Sequence, residues 1–96
     1  MIKEKVLRLL IDHRSEIQEF QIEKLSIFGS VARDQETLNS DVDILIKFKG
    51  PASYDLYMDL KFYLESLLGR KVDLVTEDAV RPELRRFVEE DLIRIA

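Results

Sequence analysis

The sequence predicts a small α/β fold of the mixed α+β kind, a mixed sheet flanked by helices, and three observations predict it. Short, largely apolar segments at 24–28, 41–48 and 72–76, bounded by turn residues, read as strands. Longer stretches at 2–17 and 53–68 carry apolar residues at spacings of three and four, the stripe of an amphipathic helix. The chain has 96 residues without repeats, low-complexity runs or linkers, so a single domain over 1–96 is expected.

Composition narrows the class further. The chain is 46% apolar with three Gly and two Pro, as an ordered domain should be. No run approaches the roughly 18–20 apolar residues that cross a bilayer, and the first residues lack a signal peptide's apolar core. No membrane partner is expected. Cysteine is absent, which excludes disulfides and thiolate metal sites and fits a reducing compartment; a cytoplasmic location follows as the default. Net charge is −4, from 19 acidic and 15 basic residues, so nothing draws the whole chain to nucleic acid and no direct nucleic-acid binding is expected. A polyanion would have to be met by a local basic group or by bound cations.

In chain order, Ile2, Val6, Leu9, Leu10, His13 and Ile17 form the first helical stripe. His13 sits on its apolar side and reads as a partly buried core-edge residue, since no second histidine exists to share a metal. Lys24–Phe28 is the first strand. Gly29-Ser30 turns the chain into a brief helix to about Gln35, and Asn39-Ser40 is turn chemistry. Asp41–Phe48 follows as a strand whose alternation puts Asp41, Asp43, Leu45 and Lys47 on one face and Val42, Ile44, Ile46 and Phe48 on the other. Gly50-Pro51 stops it. The helix over 53–68 ends at Gly69, a natural C-terminal cap, and its Tyr54, Tyr57 and Tyr63 read as core and rim aromatics. Val72–Thr76 is the third strand. Pro82 opens a last helix with Leu84, Phe87 and Val88 expected to face inwards, and Leu92–Ile95 can add a terminal strand.

The chemistry concentrates in one stretch. Gly29-Ser30 is followed, after ten residues, by Asp41-Val42-Asp43. Carboxylates at alternate strand positions point the same way, with Cα atoms about 6.5–7 Å apart, and can reach hard cations lying between them. Magnesium prefers such oxygen ligands while keeping phosphates and waters in its shell, and two ions about 3.5–4 Å apart serve phosphoryl or nucleotidyl transfer. Glycine lets backbone approach a phosphate, the Ser30 hydroxyl can donate to it, and Arg33 can add a positive contact. Asp73 joins Asp41 and Asp43 if its strand is a neighbour, as a metal ligand or as the base that takes a proton from an acceptor hydroxyl. Each piece alone is more often structural. Together they weigh more, because aspartates interrupting apolar strands are costly unless used.

Gly29-Ser30, ten residues, then Asp41-Val42-Asp43, with Asp73 inside Val72-Asp73-Leu74-Val75, resembles the signature of the DNA polymerase β-type nucleotidyltransferases. The local text Gly29-Ser30-Val31-Ala32-Arg33 and Ser40-Asp41-Val42-Asp43-Ile44-Leu45 is especially similar to the minimal nucleotidyltransferase (MNT) proteins, antitoxins of HEPN–MNT toxin–antitoxin pairs. The resemblance covers nearly the whole chain; one departure is Asp34, where a glycine is common in relatives. It implies Mg²⁺, two ions, bound by Asp41, Asp43 and Asp73, and a nucleoside triphosphate, usually ATP, held by Gly29 and Ser30. It further implies transfer of AMP to a tyrosine of a HEPN-domain RNase toxin, within a hetero-complex that supports the acceptor. A contact-only antitoxin and a small-molecule nucleotidyltransferase are the competing readings; the second needs an acceptor pocket that the sequence does not reveal.

Overall fold

The computed structural model describes residues 2–33 and 41–96. Helix α1 (Ile2–Asp12) and a short α2 (Arg14–Gln18) precede strand β1 (Ile22–Phe28) and a four-residue α3 (Gly29–Ala32). Strand β2 (Val42–Phe48), helix α4 (Tyr54–Leu68), strand β3 (Val72–Thr76), a 3₁₀ turn (Glu77–Ala79), helix α5 (Pro82–Glu90) and strand β4 (Ile93–Arg94) complete the chain. The sheet runs β3-β2-β1-β4 and is mixed: β1 is antiparallel to both β2 and β4, while β2 and β3 are parallel. A parallel pair needs a crossover, and α4 supplies it. This is the small mixed sheet with flanking helices that the sequence predicts.

Burial follows the expected alternation on one face. Val42, Ile44 and Ile46 are fully buried, and they meet Ile27 of β1, Leu74 of β3 and the α1, α2 and α4 residues Leu10, Ile17, Leu60 and Leu64 in one core. Local chemistry sets the α4 boundaries. Ser53 Oγ accepts from Leu56 N at 3.1 Å as the N-cap, and Gly69 adopts φ 65°, with its N–H donating to Glu65 O at 2.8 Å. Two aromatics tie α4 to its neighbours as rim contacts: the Tyr63 hydroxyl donates to Glu16 Oε2 at 2.7 Å and its ring lies 5.2 Å from that of Phe20, while the Tyr57 hydroxyl donates to the Leu74 carbonyl.

Several expectations are corrected. The first stripe is two helices, with a break in helical geometry at His13 (φ −108°, ψ 19°); its backbone N–H still donates to the Leu9 carbonyl at 3.2 Å, and its Nδ1 lies 2.9 Å from the same oxygen. The first strand begins two residues early, at the buried Ile22, with a register shift beside it that hid its membership behind Glu23 and Lys24. The brief helix starts at Gly29 and ends at Ala32; Asp34, Gln35 and the Asn39-Ser40 turn lie outside the described residues. Tyr54 is 75% exposed, so it is neither core nor rim. In α5, Leu84 and Phe87 face solvent at 49% and 59% exposure, and only Val88 turns partly inward. Beneath α5, Leu45 lines a cavity with Val80, Val88 and Leu92, and neither Leu84 nor Phe87 reaches it. No described helix is long and apolar enough to cross a membrane.

Candidate active site

Parallel pairing of β2 with β3 sets Asp43 directly opposite Asp73. The sequence could not supply that adjacency, since it rests on two strands that are 24 residues apart becoming neighbours. The two carboxyl groups hydrogen-bond to each other, and Asp41 stands within electrostatic reach at the exposed entrance of β2. Asp43 is half-buried and its pKa rises from 3.8 to about 6. Desolvation is the main cause, followed by repulsion from Asp73 and then Asp41, and by the bond to Asp73; the Arg33 guanidinium opposes them.

Gly29 belongs to this site sterically. Its φ is +75°, a region that L side chains rarely adopt, and a Cβ there would lie 2.1 Å from Asp43 Oδ2. The absence of a side chain at 29 therefore lets the Gly29-Ser30 backbone lie against the Asp43 carboxylate. Ser30 occupies the first turn of α3, half-buried. Arg33 caps the far end of α3 and reaches a residue that the sequence gave no reason to single out: its Nη1 pairs with Asp91 Oδ2, at the end of α5, at 2.7 Å. Tyr57 was also missed as a neighbour of the site. Burial raises its pKa first, and the charge of Asp73 raises it further. All six residues singled out from the sequence are thus in or beside one place, with Arg33 at its rim.

The donor set suits a hard divalent cation. Carboxylates forced together in a partly desolvated setting repel one another, and a cation between them would remove that cost and compete with the proton, which Asp43 binds more tightly than a free carboxylate does. Among the described residues no three His, Cys, Asp or Glu side chains already stand together as a metal cage. Magnesium does not require one, since it completes its octahedron with water and substrate phosphates. A hollow of about 650 Å³ lies elsewhere, at the other end of β2 and β3 between Phe48, Tyr54 and Thr76, and it holds none of these carboxylates. The carboxylates form a partly exposed shelf: Asp41 and Asp73 are exposed and Asp43 is half-buried.

Comparisons with known proteins agree with this geometry. A family model described as a nucleotidyltransferase domain matches residues 7–95. A candidate protein adenylyltransferase of Methanocaldococcus jannaschii is 39% identical over 93 residues, covering 95% of each chain. The protein adenylyltransferase MntA of Thermococcus cleftensis is 32% identical over 93 residues, 96% of this chain and 94% of that one. Among solved structures, a candidate minimal nucleotidyltransferase superposes with a TM-score of 0.76 at 33% identity, covering 91% of this chain and 93% of that one. The fold also matches, with a TM-score of 0.68 at 18% identity over 94% of this chain and 71% of that one, a structure of the tri-AMPylated HEPN toxin of Shewanella oneidensis in complex with its MNT antitoxin. On the family match over residues 7–95 and these relatives, this chain belongs to the nucleotidyltransferase domain family, in its minimal nucleotidyltransferase branch, and is an enzyme of that kind.

Proposed function

We propose that the protein is a Mg²⁺-dependent protein adenylyltransferase that moves AMP from ATP to a tyrosine of a HEPN-domain RNase toxin and so acts as its antitoxin. The observation that carries this reading is the Asp43–Asp73 pair facing the Gly29 backbone, with Asp41 adjoining. Asp41, Asp43 and Asp73 would hold the metal, two ions by the resemblance, and Gly29 and Ser30 would seat the triphosphate with Arg33 at its edge. Bound Mg²⁺ would supply charge neutralisation for the phosphates and the leaving group. The names of the relatives support a protein acceptor, and the fold shared with an AMPylated HEPN–MNT complex supports a HEPN acceptor in a hetero-complex.

The proposed step balances as a nucleotidyl transfer. The tyrosine oxygen attacks the α-phosphorus, forming an O–P bond as the α–β phosphoanhydride breaks and pyrophosphate leaves. The phenolic proton passes to a carboxylate, for which Asp73 is the exposed choice beside the reacting shelf. Incubating the protein with labelled ATP, Mg²⁺ and the HEPN protein encoded beside it should label that protein on tyrosine. No label from demonstrably folded protein overturns the acceptor assignment. Neutralisation of the toxin at full strength by a D41N/D43N variant would favour the contact-only antitoxin instead.

A further inference from the structure

We propose that the exposed stripe of α5, Leu84 and Phe87 rimmed by Arg81, Arg85 and Arg86, is the surface on which the acceptor protein docks, and that its occupant is an apolar protein patch bordered by carboxylates. The inference rests on the acceptor being a protein, as argued above. Three observations carry it.

The first is the stripe itself. Leu84 and Phe87 are three residues apart on a helix, hence neighbours on one surface, and both are about half-exposed. Single exposed apolar residues need no explanation, but here two large ones adjoin three exposed arginines in a chain of net charge −4. Aromatic residues and arginine are the composition in which interface energy concentrates. The Arg86 guanidinium lies 6.0 Å from the Phe87 ring centroid, at the limit of a cation–π contact.

The second observation is charge. Among the described residues Arg81 and Arg85 form no ion pair, so the arginines offer carboxylates on a partner an unclaimed match. The last turn of α5 carries Glu89 and Glu90, four residues after Arg85 and Arg86, and no basic residue.

The third is continuity with the active site. Val88 and Arg85 line a cavity of about 250 Å³ with Leu45, which by strand alternation points to the same sheet face as Asp43. The end of α5 is bonded to the site's rim through Asp91 and Arg33, whose charge is felt at Asp43. At about 1.5 Å per residue, Phe87 lies about 6 Å and Leu84 about 10 Å along the helix from Asp91. An interface of ordinary size, about 800 Å² a side, extends past the length from Leu84 to Asp91, whose partner Arg33 borders the site.

The test measures docking and transfer separately, using the full chain and the adjacent HEPN protein. L84D/F87D should bind that protein at least tenfold more weakly in biolayer interferometry, and its KM for acceptor should rise by a similar factor while its affinity for a non-hydrolysable ATP analogue stays at the wild-type value. R81E/R85E/R86E should lose association rate and salt dependence with folding intact by circular dichroism. The docking surface is overturned if L84D/F87D binds the acceptor as wild type does, or if wild type does not bind it. It is equally overturned if the substitutions instead abolish a wild-type self-association seen in sedimentation, or the binding of a labelled RNA. If wild type binds the acceptor through this stripe but transfers no AMP, docking stands and the enzymatic reading of the pair falls.

Discussion

A Cβ at position 29 would meet Asp43 Oδ2 at 2.1 Å, and φ there is +75°. G29A therefore combines backbone strain of about 1–2 kcal/mol with displacement of a carboxylate that the proposed chemistry requires. Urea unfolding should show the stability loss, and AMP transfer should fall to the level of D43N. Asp43 also sets a pH dependence in the metal-free protein. Its pKa in the folded state is about 6, above the 3.8 expected when unfolded, so the folded protein binds the proton more tightly. That contribution to stability is complete below about 4 and is lost as pH rises through about 6. Thermal melts of metal-free D43N should lack this decline and show a higher Tm than wild type at pH 7. Added Mg²⁺ should raise the wild-type Tm more at pH 7 than at pH 5, because the metal competes with the same proton.

The helix α4 shows how an element can matter to the site without touching the reacting groups. It is the crossover that makes β2 and β3 parallel neighbours, and so it sets Asp43 beside Asp73. Its boundaries were readable from Ser53, the apolar spacing and Gly69, because caps and periodicity are local. S53A should cost about 1 kcal/mol of stability, while L64A, emptying a fully buried position, should cost about 2–5 kcal/mol. Below its melting temperature S53A should transfer AMP at the wild-type rate, a comparison that separates the scaffold from the chemistry. The helix α5 was misread for the converse reason. Its amphipathic pattern announces an apolar stripe, and pattern alone assigns that stripe to the core. Whether the stripe meets this chain or another depends on how much sheet remains uncovered, which is a tertiary quantity. Likewise the break at His13 is invisible in a stripe that keeps its spacing across the turn.

For the whole molecule, the motif residues Gly29, Ser30, Asp41 and Asp43 were legible because they lie close together in the chain, Gly29 and Ser30 opening α3 and Asp41 and Asp43 flanking Val42, the first residue of β2. The part played by Asp73 needed the strand order β3-β2-β1-β4, and the Arg33–Asp91 contact needed α5 to return to the site from 58 residues away. The result is a four-stranded sheet that carries the half-buried Asp43 and the exposed Asp73 on neighbouring strands. The claim that this shelf performs nucleotidyl and not phosphoryl transfer is tested most directly by giving the protein, Mg²⁺ and its HEPN partner ATP labelled either at the α- or at the γ-phosphorus. The α-label should appear on a partner tyrosine, the γ-label should leave as pyrophosphate, and D43N should abolish both. Label from the γ-position on the partner, or α-label transferred equally well by D43N, would contradict the account.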